Sequence, residues 1–404
     1  MNYPLNPAVM KKIWLCCCVF MATGIATAQL RFSGTIKGLK EDYILVDKPF
    51  EGKYFPAQPE RIDVDKKGHF EVEVPGQESG FLTIHLENGQ VMRVFLEPGE
   101  GNALDMSVKE KDEGITYKGP SAKQNQFLQS LTRLSQPTEM SLSGWKTGFL
   151  TEKASPKEVY QQVTDYLEAE LKLLKKAGKE GFSEKFQAAM EADIACYYAC
   201  IFGSIASQEW KKSKATGSSF DGRWKDYWSV FFEEKKLNKP GVAVSEWYLT
   251  YLTHYISDYR LDALQENEFL DADTTLGEQF LEYDRLVWKY LSPAVQEYAA
   301  AGIFSKAALR GRNESMLVDL FLKFKNDFPQ SRLTPLFEQN LTPVVNNVEE
   351  AKKRFPDGIF LASEQQEINT LEDFLKLFKG KVVYLDIWAT WCTPCLFEFR
   401  KHHP

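Results

Sequence analysis

The sequence predicts an α+β chain of several parts: an N-terminal antiparallel β-sandwich or barrel, a central α-helical region and a C-terminal partial α/β fold. Three observations predict it. Apolar residues alternate or cluster in short runs up to about Tyr117, their spacing turns helical between about Ser121 and Arg354, and helix, strand and helix signals follow one another from Glu364. A length of 404 residues suffices for two or three domains, and 44% hydrophobic with 26% charged residues describes a folded chain.

The first 28 residues read as a secretory signal peptide rather than structure. Lys11 and Lys12 precede an apolar run from Ile13 to Ala22, and Ala26-Thr27-Ala28 supplies a small-x-small cleavage site, so cleavage is expected after Ala28. An uncleaved anchor is the weaker reading, because the run is short for a membrane span. Lipidation is disfavoured, because Cys16 and Cys17 stand where a lipobox before Cys18 needs small residues. Cleavage leaves Cys196, Cys200, Cys392 and Cys395, and 47 basic against 56 acidic side chains, a formal charge of −9. That acidity, without a basic stripe, excludes nucleic acid as a partner.

From residue 29 to 119 the chain reads as β. Runs beginning at Tyr43, Arg61, Phe70, Phe81 and Val91 have strand patterning, and turn residues separate them. Asp65-Lys66-Lys67-Gly68 and Asn88-Gly89 are hairpin signals, and Glu97-Pro98-Gly99 ends a strand.

Residues 120 to 354 read as helices. Ser155-Pro156-Lys157-Glu158 is a capping box with proline at the first helical position, and Val159, Val163, Tyr166, Leu167, Leu171 and Leu174 form a stripe behind it. A second helix starts at Ser183, with Phe186, Met190, Ile194, Tyr197 and Ile201 on one side. Ser292-Pro293 opens another, and Met316, Leu317, Leu320 and Phe324 mark one more. Cys196 and Cys200, four apart, share a helix face where a disulfide is disfavoured. They read as small core residues, with a metal pair or second redox couple as alternatives. Trp224, Tyr227, Trp228, Phe231, Phe232, Trp247, Tyr251 and Tyr255 fall at helical spacing, for inter-helix packing or as a groove for a partner. His254, beside them, reads as a packing or surface residue.

The last segment, 355 to 404, carries the chemistry. Thr370 caps a short helix whose Leu371, Phe374, Leu375 and Phe378 form its buried side, and Gly380 ends it. The apolar run Val382 to Ile387 then reads as a strand buried on both faces, followed by Cys392 and Cys395 where a helix begins. Unpaired backbone N–H groups and the helix dipole favour thiolate there, which makes Cys392 the attacking sulfur and Cys395 the resolving one. Pro394 fits the first turn. Asp386, a carboxylate in the strand, accepts the Cys395 proton if buried; the alternative is a strand-end residue facing water. Zinc is disfavoured because His402 and His403 stand too close to Cys395, and haem attachment because Leu396 follows it.

The string Val-Val-Tyr-Leu-Asp-Ile-Trp-Ala-Thr-Trp-Cys-Thr-Pro-Cys from Val382 closely resembles the thioredoxin superfamily, and within it the TlpA-like or ResA-like envelope thiol-disulfide reductases. The resemblance implies a nucleophile at Cys392, a resolving thiol at Cys395 and a proton-transfer acid at Asp386, and no other role is carried over from it; Trp391 and Pro394 are expected beside the dithiol as active-site support. It implies protein disulfide substrates in the periplasm or cell envelope. A membrane-bound electron donor is expected, since no nucleotide or flavin fingerprint is present and no cofactor is called for. The family's fold continues past the redox helix into a cis-proline loop, a hairpin and a final helix. Here Pro404 comes nine residues after Cys395, so an incomplete thioredoxin-like domain is expected, a truncated product or a fragment. The hairpin of Asp65 with Gly68-His69-Phe70, the Leu96-Glu97-Pro98-Gly99 ending and Gly119 with Asn125 and Phe127 resemble the β-rich domain of unknown function that often precedes a TlpA-like domain. With such a chain, the competing expectation is a non-catalytic envelope binding or scaffold protein carrying a vestigial thioredoxin segment.

Overall fold

The computed structural model describes residues 30–74, 76–99, 101–107, 115–131, 155–179, 181–232, 240–266, 276–352 and 370–385. Residues 1–28, read above as a signal peptide, lie outside them. The chain divides into two compact units, Met1–Glu350 and Ala351–Pro404. Mixed α and β structure is present, with a β-rich N-terminal region of two sheets and a helical remainder.

Eight strands build the sheets: β1 (Leu30–Lys37), β2 (Tyr43–Asp47), β3 (Glu60–Asp63), β4 (His69–Val74), β5 (Gly80–His85), β6 (Val91–Leu96), β7 (Asn102–Ser107) and β8 (Thr116–Lys118). One sheet has the order β4-β1-β7-β8 and the other β3-β2-β5-β6. Turn chemistry placed the strands as expected. At the β3–β4 hairpin, Asp65 Oδ1 accepts from the backbone N–H of Lys67 and His69, both at 2.8 Å, and Gly68 takes a positive φ of 84°.

The expectation of purely antiparallel sheets fails at one pair, because β1 and β7 run parallel, from Phe32 opposite Asn102 to Lys37 opposite Ser107. The reason is connectivity. The chain leaves β1 to build part of the second sheet, returns as β4 on one side of β1, and crosses again before β7 takes the other side. Gly34, in the middle of β1, permits that flanking: a Cβ there would lie 2.5 Å from the Phe70 ring and 2.7 Å from the Leu104 carbonyl oxygen.

Between the sheets lies a core that includes Phe32, Ile36, Val46, Phe70, Val72, Ile84, Val94 and Leu104. β1 and β4 alternate between buried and more exposed residues, as a sheet with one face outward does. β5 and β6 instead are buried nearly throughout. Leu82, Ile84, Met92 and Val94 face the core between the sheets, whereas Phe81 and Phe95 join the helical core. The second sheet is thus a middle layer.

The helices follow in order: α1 (Ala122–Ser130), α2 (Pro156–Gly178), α3 (Glu184–Thr216), α4 (Arg223–Phe231), a 3-10 turn (Pro240–Val244), α5 (Tyr248–Thr253), a π-helical segment (His254–Ala263), α6 (Leu276–Tyr290), α7 (Pro293–Leu309), α8 (Met316–Asp327) and α9 (Thr334–Lys352). α3 is the axis. Its 33 residues span about 50 Å at 1.5 Å per residue, and residues on every side of its middle are buried, Asp193 included. The α2 capping box forms as predicted: Ser155 N donates to Glu158 Oε2 at 2.7 Å, and Glu158 N donates to Ser155 Oγ at 3.4 Å. Ser155→Ala should therefore cost about 1 kcal/mol in a denaturant titration. A loss under about 0.2 kcal/mol would mean that tertiary packing alone fixes the start of α2.

The long β2–β3 loop ties sheet to helices. Tyr54 N donates to Ala243 O at 2.8 Å, Tyr298 Oη donates to Tyr54 O, and Asn340 Nδ2 donates to Pro56 O at 2.8 Å. Phe55 packs edge-on against Tyr298. These contacts satisfy backbone groups that a buried loop would otherwise leave unpaired.

In the second unit, Thr370 caps α10 (Leu371–Lys376), accepting from Asp373 N at 3.1 Å, and Gly380 takes a φ of 82°. The expected buried side does not form. Phe374 and Phe378 pack together with centroids 5.1 Å apart, but Leu371, Leu375 and Leu377 are exposed. Nor do Val382–Leu385 form the expected strand: Val382 is 103% exposed and Tyr384 90%. An apolar strand needs a neighbour on each side, and among the described residues none pairs with this one. A thioredoxin-like arrangement is not seen in these residues.

Candidate functional site

The predicted redox residues Asp386, Trp391, Cys392, Pro394 and Cys395 all lie outside the described residues. So do His402 and His403. The structure does place Cys196, Cys200, the aromatic series and His254.

Cys196 and Cys200 sit on α3 as free, buried thiols. Burial pushes the Cys196 thiol well above its ordinary range, and the Asp193 carboxylate one turn earlier adds to the rise. Cys200 Sγ contacts the Trp247 carbonyl oxygen at 3.5 Å. Neither thiol has the electropositive, accessible setting of a nucleophile. They are core residues, as the simpler reading had it, and among the described residues no group of three potential ligands could hold a metal ion.

The aromatic series packs between helices. Trp224, Trp228, Phe231, Phe232, Tyr251 and Tyr255 are buried. Phe232 stacks on Tyr251 with centroids 4.7 Å apart, Phe202 of α3 stacks on Phe231 at 5.0 Å, and Tyr251 Oη donates to the Phe231 carbonyl at 2.6 Å. Rings so engaged do not line an open groove.

The residues that carried the second resemblance act as fasteners. Asn125 of α1 imitates a neighbouring strand: its Oδ1 accepts from Phe95 N at 2.6 Å and its Nδ2 donates to Phe95 O at 3.1 Å, closing the β6 edge. Ser121 Oγ accepts from Glu97 N at 3.0 Å and donates to Asn102 Oδ1 at 3.1 Å. Gly119, with φ of 87°, lets the chain approach Gly101, whose carbonyl oxygen would lie 2.4 Å from an added Cβ. Phe127 packs edge-on against Phe182.

Two polar clusters escaped the sequence reading. At the junction of β6 and α3, Arg93 forms a two-pronged pair with Asp193, Nη1 to Oδ2 and Nη2 to Oδ1, each at 3.1 Å. Ser245 Oγ donates to Asp193 Oδ1 at 2.7 Å, Glu246 Oε1 lies 3.3 Å from Arg93 Nη1, and the guanidinium lies 4.2 Å over the Phe81 ring. The partners are 100 residues apart, so no local spacing could announce the pair.

The other cluster surrounds the π-helical segment, where His254 Nδ1 bonds Asp258 Oδ2 and Lys211 Nζ of α3 lies 3.6 Å from Asp258 Oδ1. Burial works to raise Asp258, but its bond to His254, together with Lys211 and Ser207, outweighs that and holds it below the usual carboxylate range. Asp262, four residues on, is pushed up to about 6 by burial, then by the charge of Asp258. At the segment's far end Arg260 Nη1 donates to Glu266 Oε1 at 2.9 Å and its guanidinium lies 4.0 Å from the Tyr290 ring centre on α6. His254, read from sequence as a packing or surface residue, is thus a half-buried partner in an ion cluster. The missed signal was His254, Asp258 and Asp262 at a spacing of four.

No protein-family model matches the chain, and no curated protein is significantly similar to it. Among the described residues no helix is long and apolar enough to cross a membrane.

Proposed function

We propose that the chain is an exported thiol-disulfide reductase of the cell envelope, acting on protein disulfides through Cys392 and Cys395. One observation carries the reading: the Cys-Thr-Pro-Cys spacing, set behind an apolar run that contains Asp386. The burial of Cys196 and Cys200 supports it, because a redox couple in the mature chain then falls to the remaining two cysteines.

In this reading the Cys392 thiolate attacks one sulfur of a substrate disulfide and the other sulfur leaves as a thiolate that takes a proton from solvent. Asp386 removes the Cys395 proton, and the new thiolate attacks Cys392 Sγ, releasing the second substrate thiol. Two electrons pass to the substrate and a Cys392–Cys395 disulfide remains. A membrane-bound dithiol donor would reduce it again. Equilibration of the full chain with glutathione of varied redox ratio tests the proposal. The expected result is one two-electron couple that Cys392→Ser abolishes; thiols that titrate independently of each other would overturn it.

A second reading, a non-catalytic envelope binding or scaffold protein, is favoured by the exposure of Val382, Tyr384 and the leucines of α10. Partner binding unchanged when both Cys392 and Cys395 are replaced by serine would support it over the first.

A further inference from the structure

We propose that the C-terminal part of α2 is a docking face for an anionic phospholipid bilayer, holding the exported chain against the membrane surface without crossing it. The helix segregates its charges: Glu158, Asp165, Glu168 and Glu170 come first, and Lys172, Lys175, Lys176 and the capping Lys179 follow. The four lysines recur at i, i+3, i+4 and i+7, so they share one side of the helix, and all are exposed. That side is turned away from the core, which Val159, Val163 and Leu174 face. Among the described residues no carboxylate pairs with any of the four. The acids of the same helix are mostly committed elsewhere: Glu158 to the capping box, Asp165 to Gln161 Nε2 at 2.8 Å and Glu170 to Tyr198 Oη at 2.6 Å. Like charges three and four residues apart weaken a helix. The helix dipole offsets this for Lys175 and Lys176 in the last turn, but Lys172 lies before it.

Beside the lysines runs an exposed apolar strip. Tyr166, which the sequence pattern assigned to the buried stripe, is 44% exposed, and Leu173, seven residues on, is 53% exposed, with Ala169 exposed between them. Lysines flanked by a leucine and a tyrosine suit the boundary where headgroups meet acyl chains: ammonium groups meet lipid phosphate, Leu173 enters the acyl edge, and the Tyr166 ring lies at headgroup level. Charge on the rest of the chain sets the orientation. With 47 basic against 56 acidic side chains after residue 28, an anionic surface repels the chain as a whole and admits it with this stripe foremost. Composition hides the stripe, because the acids that precede it balance it. From Lys172 to Lys179 it rises only about 10 Å, and its leucine edge matches a bilayer rather than a nucleic-acid backbone.

The inference rests on the export reading but not on the dithiol. Co-sedimentation of the full chain with phosphatidylcholine vesicles, with and without phosphatidylglycerol, tests it, and comparison among variants cancels whatever residues 1–28 add. Binding should require the anionic lipid and fall as salt rises. Lys172→Gln combined with Lys176→Gln should weaken it about 25-fold, about fivefold for each lysine near the surface. Leu173→Gln should weaken it severalfold, by a factor that salt does not change. Lys66→Gln combined with Lys67→Gln, on the exposed β3–β4 hairpin, should leave it unchanged. Cys392→Ser should also bind normally, which separates this proposal from the redox one. No binding, equal binding with and without phosphatidylglycerol, or an equal loss in the Lys66 and Lys67 variant would overturn the docking face. So would duplex DNA held as tightly as vesicles and indifferent to Leu173→Gln.

Discussion

Asp193→Ala should destabilise the first unit by about 3–5 kcal/mol, as breaking a buried ion pair does. The carboxylate is 0% exposed and accepts from both prongs of Arg93 and from Ser245. Removing it leaves a guanidinium, itself 5% exposed, with the partly exposed Glu246 as its remaining carboxylate partner. Water cannot reach the freed donors without opening the seam between β6 and α3. The effect is a penalty for stranding a charge rather than the worth of the pair. Arg93→Met combined with Asp193→Leu should therefore recover most of the loss, because apolar groups of similar size carry no desolvation cost. Urea titrations of Arg93→Met, Asp193→Leu and the double variant form the cycle. A single-variant loss below about 1 kcal/mol, or a double variant as unstable as the sum of the singles, would show that the pair is not what couples sheet and helix.

The same junction marks where sequence reasoning ends. Signals confined to a few residues were legible. Ser155-Pro156-Lys157-Glu158 formed its capping box, Ser183 capped α3 by accepting from Phe186 N at 3.1 Å, and Asp65 with Gly68 formed the β3–β4 hairpin. Each depends on contacts within about one turn of chain, so the order of residues states them outright. Arg93 and Asp193 depend on two distant segments meeting, as does the parallel pairing of β1 with β7, and neither leaves a local trace. Burial on both faces of β5 and β6 did leave one, since their apolar residues form nearly continuous runs rather than alternating. The π-helical segment lay hidden because a change from i+4 to i+5 bonding scarcely alters apolar spacing over ten residues.

The proposed dithiol presents the opposite case: the chemistry proposed for it rests on consecutive letters, while Cys392 and Cys395 lie outside the described residues. Thr370 and Gly380 bound α10 as their types require, yet the leucines between them stay exposed and, among the described residues, no strand pairs with Val382–Leu385. Local caps specify where a helix begins and ends. Burial needs a second surface, which caps do not specify. For the redox proposal the decisive evidence is thus chemical, and it turns on the asymmetry between two cysteines.

On the redox proposal, Cys395→Ser should convert a reductase into a trap. The Cys392 thiolate still attacks a substrate disulfide, but nothing resolves the product, so a mixed disulfide accumulates to one substrate per chain and turnover falls to background. Cys392→Ser should give neither turnover nor adduct, because Cys395 is predicted to lie one turn further from the helix end that stabilises thiolate. Asp386→Asn should form the adduct at the normal rate and resolve it about 10²–10⁴-fold more slowly, the range for losing a positioned proton acceptor. Cys196→Ser should change none of these outcomes, since that thiol is buried and held protonated. Mass spectrometry of the intact chain after exposure to a disulfide-containing protein reads all four variants in one experiment. Equal trapping by Cys392→Ser and Cys395→Ser would remove the assigned roles. Absence of any adduct in Cys395→Ser would remove the redox proposal itself and leave the binding reading in its place.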